Sequence, residues 1–188
     1  GKFGGDLQKI KNISMDMSPT YALVFNDLVP RALQVVDKFH VMKYVYESVG
    51  EVRKHIVREL QSSLSQGKRR SEEDRKLLVQ IEHLRRVSHA ITQLKDKWSN
   101  EMEETVEQVF SSHEELKMAY LVSQNFKRWY DINNRFTTTE KITENLHLWY
   151  LQAAQIPEFK GVIKMLRKHE TQIINYFRQG ATNAKAER

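Results

Sequence analysis

Apolar residues recur every three or four positions along most of this chain. Val41, Val45, Val49, Val52, Ile56, Leu60 and Leu64 form the first such run, and that spacing predicts a long amphipathic helix. SEED, residues 71–74, has the form of a capping box. It opens a second predicted helix through Leu77, Ile81, Leu84, Val87, Ile91, Leu94 and Trp98. A third segment carries Met102, Val106, Val109 and Phe110. SHEE (112–115) and TTTE (137–140) start two more helices, with Leu116, Tyr120, Phe126, Trp129 and Tyr130 on one and Ile142, Leu146, Trp149 and Ala153 on the other. Pro157 starts the last long helix, with Phe159, Val162, Ile163, Leu166, Ile173, Ile174 and Phe177 on one face and Gly180 as its stop.

Only the first forty residues read differently. KIKNISM (9–15) alternates apolar and polar positions, as a short half-buried strand does. Ser18 and Pro19 supply an N-cap and a first-turn proline, Tyr21, Val24, Phe25 and Leu28 an apolar face, and Pro30 a stop. ALQVVD (32–37) reads as a second strand. Two strands joined by a helix make a βαβ unit, and therefore a parallel pair. The fold class is mostly α with a small parallel β element. No internal repeat is present, and the clearest break is at 65–71, where serine, glycine and basic residues cluster.

Composition narrows the chemistry. The 188 residues contain no cysteine, which excludes disulfides and thiolate metal sites. No apolar run approaches the roughly 20 residues of a membrane span, so no membrane is expected as a partner. The net charge of +6 suits an anionic partner such as nucleic acid, and equally a solvated basic surface. Basic pairs stand at Arg69-Arg70, Arg85-Arg86, Lys127-Arg128 and Arg167-Lys168. From Pro157 to Arg188 seven lysines and arginines face three glutamates. Arg69, Arg70, Lys164, Arg167 and Lys168 are the candidate phosphate contacts. The aromatics at 126, 129, 130, 149 and 150 fall at helical spacing and read as core rather than as a base-stacking platform.

Two carboxylates stand out. Asp16 and Asp37 each end a predicted parallel strand, the end at which open α/β sheets bind ligands. Such a pair repels itself unless a cation lies between, and hard divalent cations take oxygen ligands of this kind. The alternative is that Asp16 caps one helix and Asp37 starts the next. Spacing alone leaves both open. His40 lies within reach of the same strand end, as a supporting group, a phosphate contact or a purely structural histidine. The other histidines show no metal-ligand clustering, and no glycine-rich phosphate loop or nucleophile motif is present.

ISMDMSPTY, then VVDKFHVMKYV, then IPEFKGVIKMLRKHETQIINYF and finally TNAKAER, in that order, resemble the DDE transposases of bacterial insertion sequences. FSSHEELKMAYLVSQNFKRWYD resembles the helical middle of the same family. The resemblance implies an RNase H-like fold shared with retroviral integrases, in which three acids hold two divalent ions, Mg²⁺ or Mn²⁺. It makes Asp16 the second acid and Glu187 the third, both catalytic and both metal ligands, with Asp37 and His40 as active-site neighbours. It divides the chain into the second half of the catalytic core (1–65), a helical insertion (66–156), and a return helix with the start of the catalytic-glutamate helix (157–188). The first acid is then missing, because Asp6 is the only acid before Asp16 and stands too close to it. The expected molecule is thus a truncated RNase H-like core plus a long all-helical insertion, a fragment inactive by itself. The implied reaction is two-metal phosphoryl transfer that cuts transposon ends and joins their 3′-hydroxyls to target DNA. DNA is the implied partner, a homodimer or higher assembly the implied working state, and the bacterial cytoplasm the implied location. The competing reading is a non-enzymatic helical module, or a degenerate relic, that binds DNA or protein.

Overall fold

The computed structural model describes residues 10–15, 17, 27–65 and 71–178. The predicted first helix falls outside these residues, except that Asp27 and Leu28 are helical. Two strands, Asn12–Met15 (β1) and Leu33–Val36 (β2), pair in parallel with Met15 opposite Val36. Both are shorter than the alternation suggested. Val35 and Val36 are consecutive and both buried, the mark of a strand covered on two faces.

Seven helices follow among the described residues: α1 Lys38–Ser62, α2 Glu72–Arg86, α3 Asn100–Ser112, α4 Glu114–Ile132, α5 Thr139–Ala153, α6 Lys160–Lys168 and α7 Glu170–Arg178. The capping box at the start of α2 forms as its sequence dictates: Ser71 Oγ accepts from Asp74 N–H, and Asp74 accepts from Ser71 N–H. Asp74 also accepts the Ser65 amide and hydroxyl, so the ends of α1 and α2 are tied together across 66–70. α1 is the central rod. Its apolar stripe of Val41, Val45, Val49, Val52 and Ile56 packs on α2, α4 and α6.

The aromatics expected in the core are there. Phe126, Trp129, Tyr130, Trp149 and Tyr150 are all buried. Phe126 and Trp149 have ring centres 4.4 Å apart, and Trp129 meets Phe177 edge-on at 5.0 Å. The indole N–H groups of Trp149 and Trp129 donate to the carbonyls of Val122 and Ile142, which satisfies the one polar atom each ring carries inside.

Two expected helices are broken. The helix predicted through Trp98 ends at Arg86, and short 3₁₀ turns follow at Ala90–Thr92 and Lys95–Lys97. The turning chain buries Val87, Ala90 and Ile91 together, and the Trp98 indole N–H folds back onto the Ala90 carbonyl at 2.9 Å. The long helix predicted from Pro157 divides at His169, which is buried and out of helical geometry at φ −111°, ψ 17°. The break has a packing cause. Both α6 and α7 meet α5, but α6 also packs on α1 and α7 on β2, two directions that one straight helix does not serve.

Candidate functional site

The carboxyl ends of β1 and β2 define the site. The Asp37 amide donates to the Met15 carbonyl at 3.3 Å, so Asp37 is fixed at the end of both strands. Its backbone is extended at φ −65°, ψ 131°, and its carboxylate accepts the amides of Phe39 at 2.7 Å and His40 at 3.3 Å. Asp37 is therefore the N-cap of α1, where the positive end of the helix dipole also favours a carboxylate. Of the two roles that spacing left open for this residue, the capping one is present in the structure.

His40 Nδ1 lies 3.5 Å from Asp37 Oδ1. It is shielded from solvent yet finds no hydrogen bond of good geometry among the described residues. Behind the pair, α4 anchors the start of α1. Asp131 accepts from Lys38 at 3.1 Å and from Lys127 at 2.7 Å, and the Lys38 ammonium lies 5.0 Å over the Tyr130 ring. Burial pushes the Tyr130 hydroxyl well above its ordinary pKa, so it stays a neutral phenol. From the other side α7 closes the sheet: Asn175 Nδ2 donates to the Gln34 carbonyl at 3.0 Å.

Asp16, Glu187, Arg69 and Arg70 lie outside the described residues. Among the described residues no three histidine or acidic side chains converge to hold a metal ion. Asp37 and His40 offer one carboxylate, already accepting two amides, and one imidazole. That is too small a donor set for a hard divalent ion. A metal held here depends on acids beyond these two, of which Asp16 follows Met15 directly in the chain.

The three remaining candidates share α6. Lys164, Arg167 and Lys168 are exposed, as is Lys160, while Val162, Ile163 and Leu166 are buried. Arg167 lies over the Tyr150 ring at 5.1 Å. The helix contains no acid, and among the described residues no carboxylate pairs with any of the four cations. Several cations elsewhere are matched, among them Lys54 with Glu51, Lys76 with Glu72, and Lys95 with Glu103 and Glu107. Lys160, Lys164 and Lys168 stand one turn apart, a like-charge spacing that costs helix stability.

One feature escaped the sequence reading. A groove of about 950 Å³ runs along α1 between α6 and the turn at Ala90–Thr92. Phe39 stands at one end of it with 74% of its surface exposed, although its spacing in the VVDKFHVMKYV run looks no different from a core position.

A family model described as a transposase, of the ISL3 group, matches residues 3–188. No curated protein and no solved structure shows significant similarity to the chain. No described helix is long and apolar enough to cross a membrane.

Proposed function

Because the chain belongs to the transposase family, we propose that it acts on DNA, as the part of a transposase that carries the second and third catalytic acids. The family match across nearly the whole chain carries this reading. Two structural features support it. The carboxyl ends of a parallel strand pair converge on Asp37, the edge of a sheet where α/β proteins hold ligands. The α6 face offers three exposed lysines, Lys160, Lys164 and Lys168, that pair with no carboxylate among the described residues.

In this reading Asp16 and Glu187 are the metal-binding carboxylates. A pair of Mg²⁺ or Mn²⁺ ions, when bound, supplies the Lewis acidity for phosphoryl transfer. Asp37 fixes the start of α1 against the end of β1, and His40 sets its imidazole beside that carboxylate. α6 binds the DNA backbone through Lys160, Lys164, Arg167 and Lys168, and Arg69 and Arg70 are further candidate phosphate contacts. Since Asp16 and Glu187 are two acids of an expected three, the 188 residues alone are taken to bind DNA without cutting it.

The test is duplex binding by the full 188-residue chain, with melting followed in Mn²⁺. Binding that weakens steeply with salt, and an Mn²⁺-induced rise in melting temperature lost in Asp16→Asn and Glu187→Gln, are the expected results. Failure to bind any duplex overturns the DNA reading. An Mn²⁺ effect unchanged in both variants removes those acids from the metal site.

A further inference from the structure

We propose that Phe39 is a stacking surface for one unpaired nucleobase, seated at the Phe39 end of the groove between α1 and α6; this rests on the reading that the chain acts on DNA. The ring is held out deliberately. Its backbone amide donates to the Asp37 carboxylate at 2.7 Å, and the His40 ring stands perpendicular to it with ring centres 6.1 Å apart. The backbone and one neighbour are thus fixed, while most of the residue's surface stays in solvent. Phe136 is more exposed still at 81%, but it lies in a loop and has the Arg135 guanidinium over it at 4.7 Å. Among the described residues no cation lies over Phe39, which stands two residues from the cap that closes the strand ends.

Beyond the ring, Met42, Tyr46 and Met165 line the groove. Thioether and aromatic walls adapt to a flat heteroaromatic ring without demanding one base. Phosphate partners stand on the lip. Lys43 is exposed and meets Glu47 only at 3.9 Å. Glu158 at the head of α6 is bonded to His55 in the later half of α1, and α7 beyond α6 returns to β2. α6 therefore runs back toward the start of α1. Gly161 and Met165 line the groove, so Lys164 and Lys168, three residues after each, occupy the neighbouring row of that helix. Of the three acids in the groove, Glu51 and Glu158 lie toward its far end and are paired with Lys54 and His55, and Glu47 faces Lys43. Apolar walls, a bare aromatic face and a cationic lip are what a single-stranded nucleic acid asks of its site.

The probe is a short duplex with an unpaired 3′ overhang carrying 2-aminopurine, compared with the same duplex blunt-ended, on the full chain. The wild type should prefer the overhang by about tenfold or more and quench the 2-aminopurine, the effect of one base stacked on an aromatic ring. Phe39→Ala should lose the preference and the quenching while binding the blunt duplex as before. Phe39→Trp should keep both. The ring is largely exposed, so the fold should survive, as circular dichroism checks. An unchanged preference in Phe39→Ala overturns the proposal, as does a Phe39→Leu variant equal to Phe39→Trp; either leaves the DNA reading standing. If the wild type binds neither duplex, both readings fall. If Phe39→Ala instead changes the oligomeric state, the ring is a contact between copies and the proposal is overturned.

Discussion

Replacing Lys160, Lys164 and Lys168 together by glutamine separates a DNA-binding face from a merely solvated one. All three are exposed, none pairs with a described acid, and they lie one helical turn apart on α6. Each phosphate neutralised contributes about −0.9 to the slope of log affinity against log salt, so loss of three contacts reduces the slope by about 2.7. Over a rise from about 50 to about 200 mM salt, the ratio of wild-type to variant affinity should then shrink about 40-fold. Stability should hardly move. Two repulsive i,i+4 pairs disappear, a gain of a few tenths of a kcal/mol each, and the favourable charge of Lys168 at the helix C-terminus is lost. The assay is fluorescence anisotropy with a labelled duplex across that salt range, with a melt of each protein beside it. Parallel salt plots for the two proteins would refute the assignment of α6 to the phosphates. So would a variant that binds as tightly as wild type at the lowest salt.

Phe126→Ala removes a fully buried ring from the aromatic cluster and should cost about 3–5 kcal/mol. With a urea m-value near 2 kcal/mol/M, the midpoint should fall by roughly 2 M, whereas Phe136→Ala, largely exposed, should leave it within about 0.3 M. Burial lowers the pKa of His113 below its ordinary 6.5, so the unfolded chain takes up the proton first and stability should fall as pH drops below about 6.5; a His113→Asn variant should lose that part of the pH dependence in denaturant titrations at pH ~7.5 and ~5.5. Asp37→Ala deletes the cap of α1 and should cost about 1 kcal/mol by urea titration, while Asp37→Asn, which still accepts the amides, should cost little; equal losses in both would show that the charge, not the cap, holds the turn.

How much of this was legible beforehand depends on the kind of signal. α1, α4 and α5 carry uninterrupted apolar stripes, and each is present with most of the expected residues inside, although Leu60 and Leu64 are only partly buried. The start of α4 differs from the SHEE expectation: Ser112 ends α3, its hydroxyl donating to the Gln108 carbonyl, and His113 stands at the N-cap without a side-chain hydrogen bond. The break after Arg86 was hidden because Val87, Ile91, Leu94 and Trp98 keep helical spacing although the backbone turns; burying Ile91 and satisfying the Trp98 indole decided the path, and both are tertiary effects. The same holds at His169, where α6 and α7 answer to different neighbours. At the site, sequence located the strand end and the pair of Asp37 and His40, but not which role the carboxylate takes, since an N-cap and a ligand use the same residue. Phe39 was invisible for a related reason. Periodicity marks apolar residues, and only the packing reveals which of them are left outside.

The hydrogen bond from Asn175 to Gln34 joins residues 141 apart in the chain. Closing a loop of that length in an unstructured chain costs about 4 kcal/mol of entropy beyond the constant term. The helices between shorten the distance as they form, since the hydrogen bonds within each are local. β2 then waits uncovered for α7, which leaves a ribosome working at about 5–20 residues per second some 7–28 seconds later. The strand end that bears Asp37 is thus among the last parts of the protein to set, and a chain cut short before α7 would keep its helical body while that strand end stayed open.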